Sequence, residues 1–227
     1  KVSLSKKEGM KMNSPKYTAE EYIQFLIASP KKATCTEASL CSPSEKHPAH
    51  DAVTRLLLRE PLTTEPLWQE AKKLARKDRG ILVLDDSTLD KPYANHTDLV
   101  CRHWSGKHHK TVKGINLQTL LWTDGEKPVP CDFRIYNKAN DGKDKNQTFR
   151  EMLDKAIERG FTPKYIGFDS WYSASLDNLK AIRGKELHFM TSVKSNRLVN
   201  PDNTENIHIC DVKDVPEDGK VVHIKGF

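Results

Sequence analysis

No apolar run in the 227 residues approaches the roughly 18 needed to span a bilayer. The opening KVSLSKKEG is charged and no apolar segment follows it, so neither a secretory leader nor a membrane anchor is read there, and the expectation is a cytoplasmic protein. Paired cysteines are also missing. Cys35, Cys41, Cys101, Cys131 and Cys210 are scattered without a C-x-x-C spacing, which argues against a disulfide framework and against a structural zinc site. A strong excess of one charge is lacking too: 37 Lys and Arg face 31 Asp and Glu, and the net +6 is only a modest bias toward an anionic partner. What is present, 37% hydrophobic and 30% charged residues, suits an ordinary globular protein, long enough for one large domain or for one domain plus a small appendage.

The chain begins with Lys, and Met10 and Met12 stand ahead of NSPKYTAEEY, so residues 1–16 read as a tail or upstream sequence without a role in the fold. Residues 17–79 read as helical. In TAEEYIQFLIASP, Thr18 and Glu21 have capping-box spacing, and Tyr22, Phe25 and Leu26 recur at helical intervals up to Pro30. HDAVTRLLLRE offers Val53, Leu56 and Leu57 as an apolar stripe, and TEPLWQEAKKLARKDRG has Pro66 in its first turn and Gly80 as its stop.

From Gly80 the period changes. ILVLDD, GINLQTLLWT and VPCDFRIYN read as strands, the last two joined by a hairpin with Asp124-Gly125 at its turn. A helix follows in KNQTFREMLDKAIERG, with Phe149, Met152, Leu153, Ala156 and Ile157 on one stripe and Gly160 at its end. KYIGFD is a fourth strand, SASLDNLKAIRG a helix that Ser173 is placed to cap, and LHFMTSVK a fifth strand. This order implies an α/β fold, a ribonuclease H-like mixed sheet with flanking helices, over residues 80–197.

Two apolar strands of that sheet end in aspartate: ILVLDD in Asp85 and Asp86, KYIGFD in Asp169. Adjacent carboxylates repel, so either they cap and turn the chain or a cation is meant to sit among them. Carboxylates converging at the ends of neighbouring strands would suit Mg²⁺, which takes oxygen ligands and keeps waters that a phosphate can replace. Spacing leaves both readings open. Two other uses of a strand-end aspartate fit less well. A haloacid dehalogenase-type phosphatase needs an acid two positions after its nucleophile, where Ser87 stands, and a receiver domain needs a helix after its first strand, where a hairpin is expected.

The stretches VLDDSTLDK, HWSGKHHKTVKGINLQTLLW, PCDFRIYNK and YIGFDSWYSASLDNLK resemble the DDE superfamily transposases of bacterial insertion sequences, in the group whose ribonuclease H-like core carries a β-strand insertion. The similarity runs from about residue 17 to the end of the chain. It implies a DNA transposase that hydrolyses a phosphodiester at the element end and transfers the freed strand. It implies Asp86 and Asp169 as catalytic metal ligands, Asp85 as an additional candidate ligand, and two Mg²⁺ (or Mn²⁺) ions. Double-stranded DNA, both element ends and target, would be the partner, with a homodimer working on paired ends in a nucleoid-associated protein. The family's third acid, a glutamate on a later helix, and the tyrosine, arginine, glutamate and lysine around it find no match. Residues 198–227 resemble the start of the β-rich insertion, so the expectation is that the glutamate lies beyond residue 227 and that this piece alone is inactive, leaving DNA binding without catalysis as the alternative.

Basic residues add a DNA-facing expectation. RHWSGKHHKTVK sets Arg102, Lys107, His108 and Lys110 around Trp104 in what reads as a loop before the second strand. Such a loop suits phosphate contacts, with Trp104 stacked on an unpaired base or else packed on the sheet. Cys101, His103, His108 and His109 fit no standard zinc spacing. Lys143, Lys145 and Asn146 introduce the long helix, where a phosphate would be favoured by the helix dipole, although solvation alone explains them. Arg55 and Arg59 in the helical region are placed to follow a DNA backbone. Trp171 and Tyr172, next to Asp169, read as a lid on the core or as groups approaching the substrate strand.

Overall fold

The computed structural model describes residues 15–30, 33–59, 63–137 and 141–227, and the chain divides into two compact units, 1–62 and 63–227. Most of the expected tail, residues 1–14, lies outside the described residues. Among those described, no helix is long and apolar enough to cross a membrane.

The first unit holds α1 (Ala19–Ala28), α2 (Cys35–Leu40) and α3 (His50–Arg59). Thr18 and Glu21 form the expected capping box. Tyr17, Phe25, Ala38, Ala52, Val53 and Leu56 make a small core. The stripe on α3 is rotated from its expected position: Ala52 is buried and Leu57 is 42% exposed. The short α2, capped by Thr34, has too few residues to show a period and was not anticipated.

The second unit begins with α4 (Glu65–Ala71), which the sequence groups with the preceding helices but which packs on the sheet of this unit. Trp68 meets Phe161 at 5.4 Å, and Lys77 and Arg159 lie over the Trp68 ring. The helix stops at Ala71 instead of running to Gly80, because residues 72–80 turn back to deliver β1. At Gly80 φ is +80°, and a Cβ would sit 2.5 Å from the Thr123 carbonyl oxygen. Glycine is required there by conformation and by contact.

The six-stranded sheet contains β1 (Ile81–Asp90), β2 (Cys101–Ser105), β3 (Lys110–Thr123), β4 (Pro128–Tyr136), β5 (Tyr165–Phe168) and β6 (His188–Thr191). The order β4-β3-β1-β5-β6 has three antiparallel strands followed by two parallel ones, as expected of a ribonuclease H-like core. β2 was expected to be a loop; it pairs with the first residues of β3 as an antiparallel hairpin. The helices α5 (Lys145–Glu158), α6 (Ser170–Ser173) and α7 (Leu176–Arg183) complete the layer.

Along β1 and β3 every second residue is buried: Leu82 and Leu84, then Asn116, Gln118, Leu120 and Trp122. Against this face α5 lays Phe149, Met152, Leu153 and Ala156, all at most 1% exposed. Asp144 and Gln147 cap α5 with a second capping box, and Gly160 ends the turn that follows it at φ +86°. Ser173 does not cap α7. It lies inside α6, donating to the Ser170 and Ser192 carbonyls, and Ser175 takes the cap position. Residues 198–227 carry a separate small sheet in the order β8-β7-β9, from β7 (Leu198–Asn200), β8 (Ile207–His208) and β9 (His223–Ile224).

Candidate active site

β1 is ten residues long, and its parallel neighbour β5 pairs only with the first four, ending at Leu84↔Phe168. The two aspartates therefore do not end the strand, as the sequence suggested. They lie in its middle, where β5 drops away, and Asp169 follows directly as the N-cap of α6. Strand alternation resolves much of the repulsion between neighbours. Asp86 continues the Leu82–Leu84 row on the helix-covered face, whereas Asp85 is exposed.

Asp86 is bound by donors from three elements. Its Oδ2 accepts from Asn116 Nδ2 (2.6 Å) and Lys145 Nζ (2.7 Å), and its Oδ1 from the Tyr172 hydroxyl (3.2 Å). The register explains the first contact, since Asp86 pairs with Gln118 and Thr88 with Asn116 across the β1–β3 ladder. Gln118 in turn donates to the Tyr172 hydroxyl (2.9 Å) and the Lys145 carbonyl (3.1 Å). Burial pushes the Asp86 carboxyl up, but the Lys145 and Asn116 hydrogen bonds, the Lys145 charge and Tyr172 outweigh it and hold it below the ordinary aspartate value. Burial and the Asp86 charge push the Tyr172 hydroxyl upward, so it stays a donor.

Asp85 shifts the other way. Partial burial raises its carboxyl and the charges of Asp86 and Asp169 add to that, against one hydrogen bond from the Asp86 N–H (2.7 Å). Asp169 Oδ1 accepts from the backbone N–H groups of Trp171 (3.0 Å) and Tyr172 (3.3 Å).

The three aspartates and Lys145 face one groove of about 1030 Å³. Asp85, Asp86, Asp144 and Asp169 line it together with the cations Arg102, Lys107, Lys145 and Lys194. Among the described residues no glutamate lines it. Trp104 stands on β2 at its rim, 65% exposed, so it is not packed away against the sheet. Arg102, Trp104 and Lys107 thus come together with the aspartates. His108 and Lys110 do not line the groove: His108 is tied to Asp90 at 2.8 Å, and Lys110 pairs with Ser105 in the hairpin. Arg55 and Arg59 occupy exposed positions on α3 of the first unit, Arg55 in an ion pair with Asp51.

Among the described residues, the one group of three or more His, Cys, Asp or Glu side chains whose ligand atoms all lie within 4.8 Å of one another is the exposed His208, Cys210 and Asp211. Cys101, His103, His108 and His109 do not converge in that way. Asp85, Asp86 and Asp169 do not form such a group of three either.

The polar partners Asn116, Gln118 and Tyr172 and the ion pair of Lys145 were not anticipated. A signal for two of them is present: in GINLQTLLW, Asn116 and Gln118 stand at period 2 with Leu120 and Trp122, polar residues on the face that the strand buries.

Residues 14–208 match the family described as DDE superfamily endonuclease. Among curated proteins, none matches the chain. Solved structures that resemble it include the piggyBac transposase synaptic complex with hairpin DNA (12% identity, TM-score 0.47, covering 85% of this chain and 45% of that one). They also include a simian T-cell lymphotropic virus intasome (10%, 0.31, 78% and 53%) and the Drosophila P element transposase strand transfer complex (11%, 0.25, 84% and 51%). The chain spans about half the length of each.

Proposed function

Since the chain belongs to the DDE superfamily endonucleases, we propose that it is the core of a DNA transposase whose groove binds duplex DNA and supports phosphodiester hydrolysis followed by strand transfer. The observation that carries this reading is the meeting of Asp86 and Asp169, from strands adjacent in the sheet, in one groove that also holds four cations.

The donors suit a hard divalent cation, Mg²⁺ or Mn²⁺, because those offered are carboxylate oxygens. Asp86 and Asp169 would hold it, with Asp85 alongside. Burial first, and then the charges of Asp86 and Asp169, raise the Asp85 carboxyl, and a cation there would relieve the second of these. Bound there, the ion would lower the cost of making an attacking hydroxide and of charging the leaving oxygen. The protein's own groups do the positioning. Asn116 and Tyr172 fix the plane of the Asp86 carboxylate, and the first turn of α6 fixes Asp169. Arg102, Lys107 and Lys194 are placed to contact phosphates, which sets DNA register without reading bases. Trp104 offers an exposed ring for a base turned out of the duplex. Such a protein acts where the chromosome is, in the cytoplasm of a bacterium, and a homodimer would pair two element ends.

A second reading, DNA binding without cleavage, is favoured by one observation: no glutamate among the described residues joins the aspartates in the groove. Mn²⁺ binding, DNA retention and nicking of supercoiled plasmid separate the two. The transposase reading expects Mn²⁺ binding that Asp86→Asn and Asp169→Asn abolish, and Mn²⁺-dependent nicking lost in the same variants. DNA retention with no nicking at any Mn²⁺ concentration moves the conclusion to the second reading, and nicking that survives both substitutions overturns the site.

A further inference from the structure

We propose that Lys145 is a built-in counter-ion of Asp86 that competes with a divalent cation for its charge, so that the Lys145–Asp86 pair sets how weakly the groove holds its metal. The inference rests on the metal-site reading above and concerns a residue that sequence reading treats as ordinary helix-end solvation.

Lys145 is the first residue of α5, and a cation at that end opposes the helix dipole. Nothing about helix formation favours it there. Its ammonium nevertheless points back into the groove, and both partners are sheltered, with side chains 15% and 18% exposed. The ammonium lies 5.9 Å from the Tyr136 ring centroid and 5.4 Å from that of Trp171, so its place is fixed by one carboxylate and two aromatic faces. The backbone at this position is also held: Gln118, fully buried, donates to the Lys145 carbonyl.

The pair and a metal compete for one carboxylate. Oδ2 of Asp86 already accepts two hydrogen bonds, from Asn116 and Lys145, which uses both of its lone pairs. Oδ1 accepts one, from Tyr172, and keeps a second lone pair for a cation. A cation arriving there meets a carboxylate whose charge is already offset by the Lys145 ammonium, 2.7 Å from Oδ2, and meets the repulsion of that ammonium as well. Lys145 is therefore a positioning residue: it holds Asp86 in place and lowers the charge that a cation finds.

Mn²⁺ titration followed by electron paramagnetic resonance tests this on the whole chain, comparing the parent protein with Lys145→Met, Lys145→Arg and Asp86→Asn. Met keeps the length and the ring contacts but removes the charge. Lys145→Met is expected to bind Mn²⁺ about tenfold tighter, corresponding to roughly 1.4 kcal/mol, while Lys145→Arg stays near the parent affinity. Equal affinity in the parent and Lys145→Met, with binding still lost in Asp86→Asn, overturns the counter-ion role and leaves the metal site standing. Equal binding in the parent and Asp86→Asn sinks the metal site and this inference with it. Near-ultraviolet circular dichroism in EDTA verifies the fold of each variant, and Lys145→Gln replaces Met if Met fails to fold.

Discussion

Two neighbouring aspartates should respond to the same substitution with opposite signs. Asn at Asp86 keeps one acceptor but replaces the other oxygen with a donor. In the best rotamer the acceptor serves Asn116 and Lys145, so the amide NH₂ faces Tyr172, whose hydroxyl then loses its acceptor. The charge-assisted bond to Lys145 also becomes an ordinary one. A charged hydrogen bond is worth about 1.5–3 kcal/mol and a neutral one about 1, so Asp86→Asn is expected to cost roughly 2–3 kcal/mol. That lies below the roughly 3–5 kcal/mol for breaking a fully buried pair, as it should for side chains 15% and 18% exposed. At about 2–4 °C per kcal/mol for a protein of this size, the melting temperature falls by about 5–10 °C. Asp85→Asn instead removes a charge that the fold disfavours, and it retains the oxygen that accepts from the Asp86 N–H. The expected gain, screened by solvent, is a few tenths of a kcal/mol.

The pH dependence separates the two further. Asp86 has its folded carboxyl lowered, so its contribution is present above the unfolded value near 3.9 and is lost as pH falls through the folded one. The gap between parent and Asp86→Asn should persist at neutral pH and close in acid. Asp85 has its folded carboxyl raised, so the parent loses stability as pH climbs from the unfolded to the folded value, and the advantage of Asp85→Asn grows across that window. Thermal melts in EDTA between pH 3 and 8, followed by near-ultraviolet circular dichroism, read both. Asp86→Asn melting at or above the parent at pH 7, or Asp85→Asn melting below it, would refute the reasoning.

Asp169→Asn should melt close to the parent, because Asn also caps a helix through its side-chain oxygen, yet lose Mn²⁺-dependent nicking; Asp169→Ala should melt lower as well, by about 1 kcal/mol of cap energy. Phe149→Ala, which empties a fully buried site between Phe168 and Tyr172, should cost about 3–5 kcal/mol in urea unfolding. With a disulfide reagent at pH 8, the exposed Cys41 and Cys210 should react quickly, whereas Cys131, buried with its thiol pushed up to about 12, should react only on unfolding. Gly114→Ala should destabilise by about 1–3 kcal/mol in the same urea assay, since the new Cβ would stand 2.6 Å from the Leu89 carbonyl oxygen and 2.8 Å from Thr88 Cγ2.

The main strands and the long helix were legible because their periods are unambiguous: alternation in GINLQTLLW and a full stripe from Phe149 to Ile157. The capping box at Thr18 and the turn at Asp124-Gly125 were legible because each has a local hydrogen-bonding cause. The end of α4 was not, since a helix-forming sequence there yields to the need to turn the chain into β1. Nor was β2, whose basic composition suggests a loop and whose strand state comes from pairing with β3. In the site, the sequence marks Asp85 and Asp86 as acids after an apolar run and Asp169 as the residue after β5, but it places the first two at a strand end that lies four residues further on, and it does not report their surroundings. Lys145 reaches Asp86 across 59 positions and Tyr172 across 86, and no local pattern reports contacts made by sheet register and helix docking.

The strand that carries Asp86 has a curious symmetry. ILVL is apolar at every position and is followed by two identical acids, so sliding β1 by one residue would bury Ile81 and Val83 in place of Leu82 and Leu84 and would put Asp85 where Asp86 stands. Hydrophobic pattern alone cannot choose between the two alignments. The choice falls to the glycines at the ends of the ladder: Gly80 pressed against Thr123, and Gly114, the partner of Asp90, pressed against Leu89. They act as stops at either end of a sliding bolt, and a side chain added at either one would remove a stop as well as strain the sheet. Substitution there should yield a mixture of two registers, one presenting Asp86 to Lys145 and the other presenting Asp85, seen as doubled amide resonances along β1.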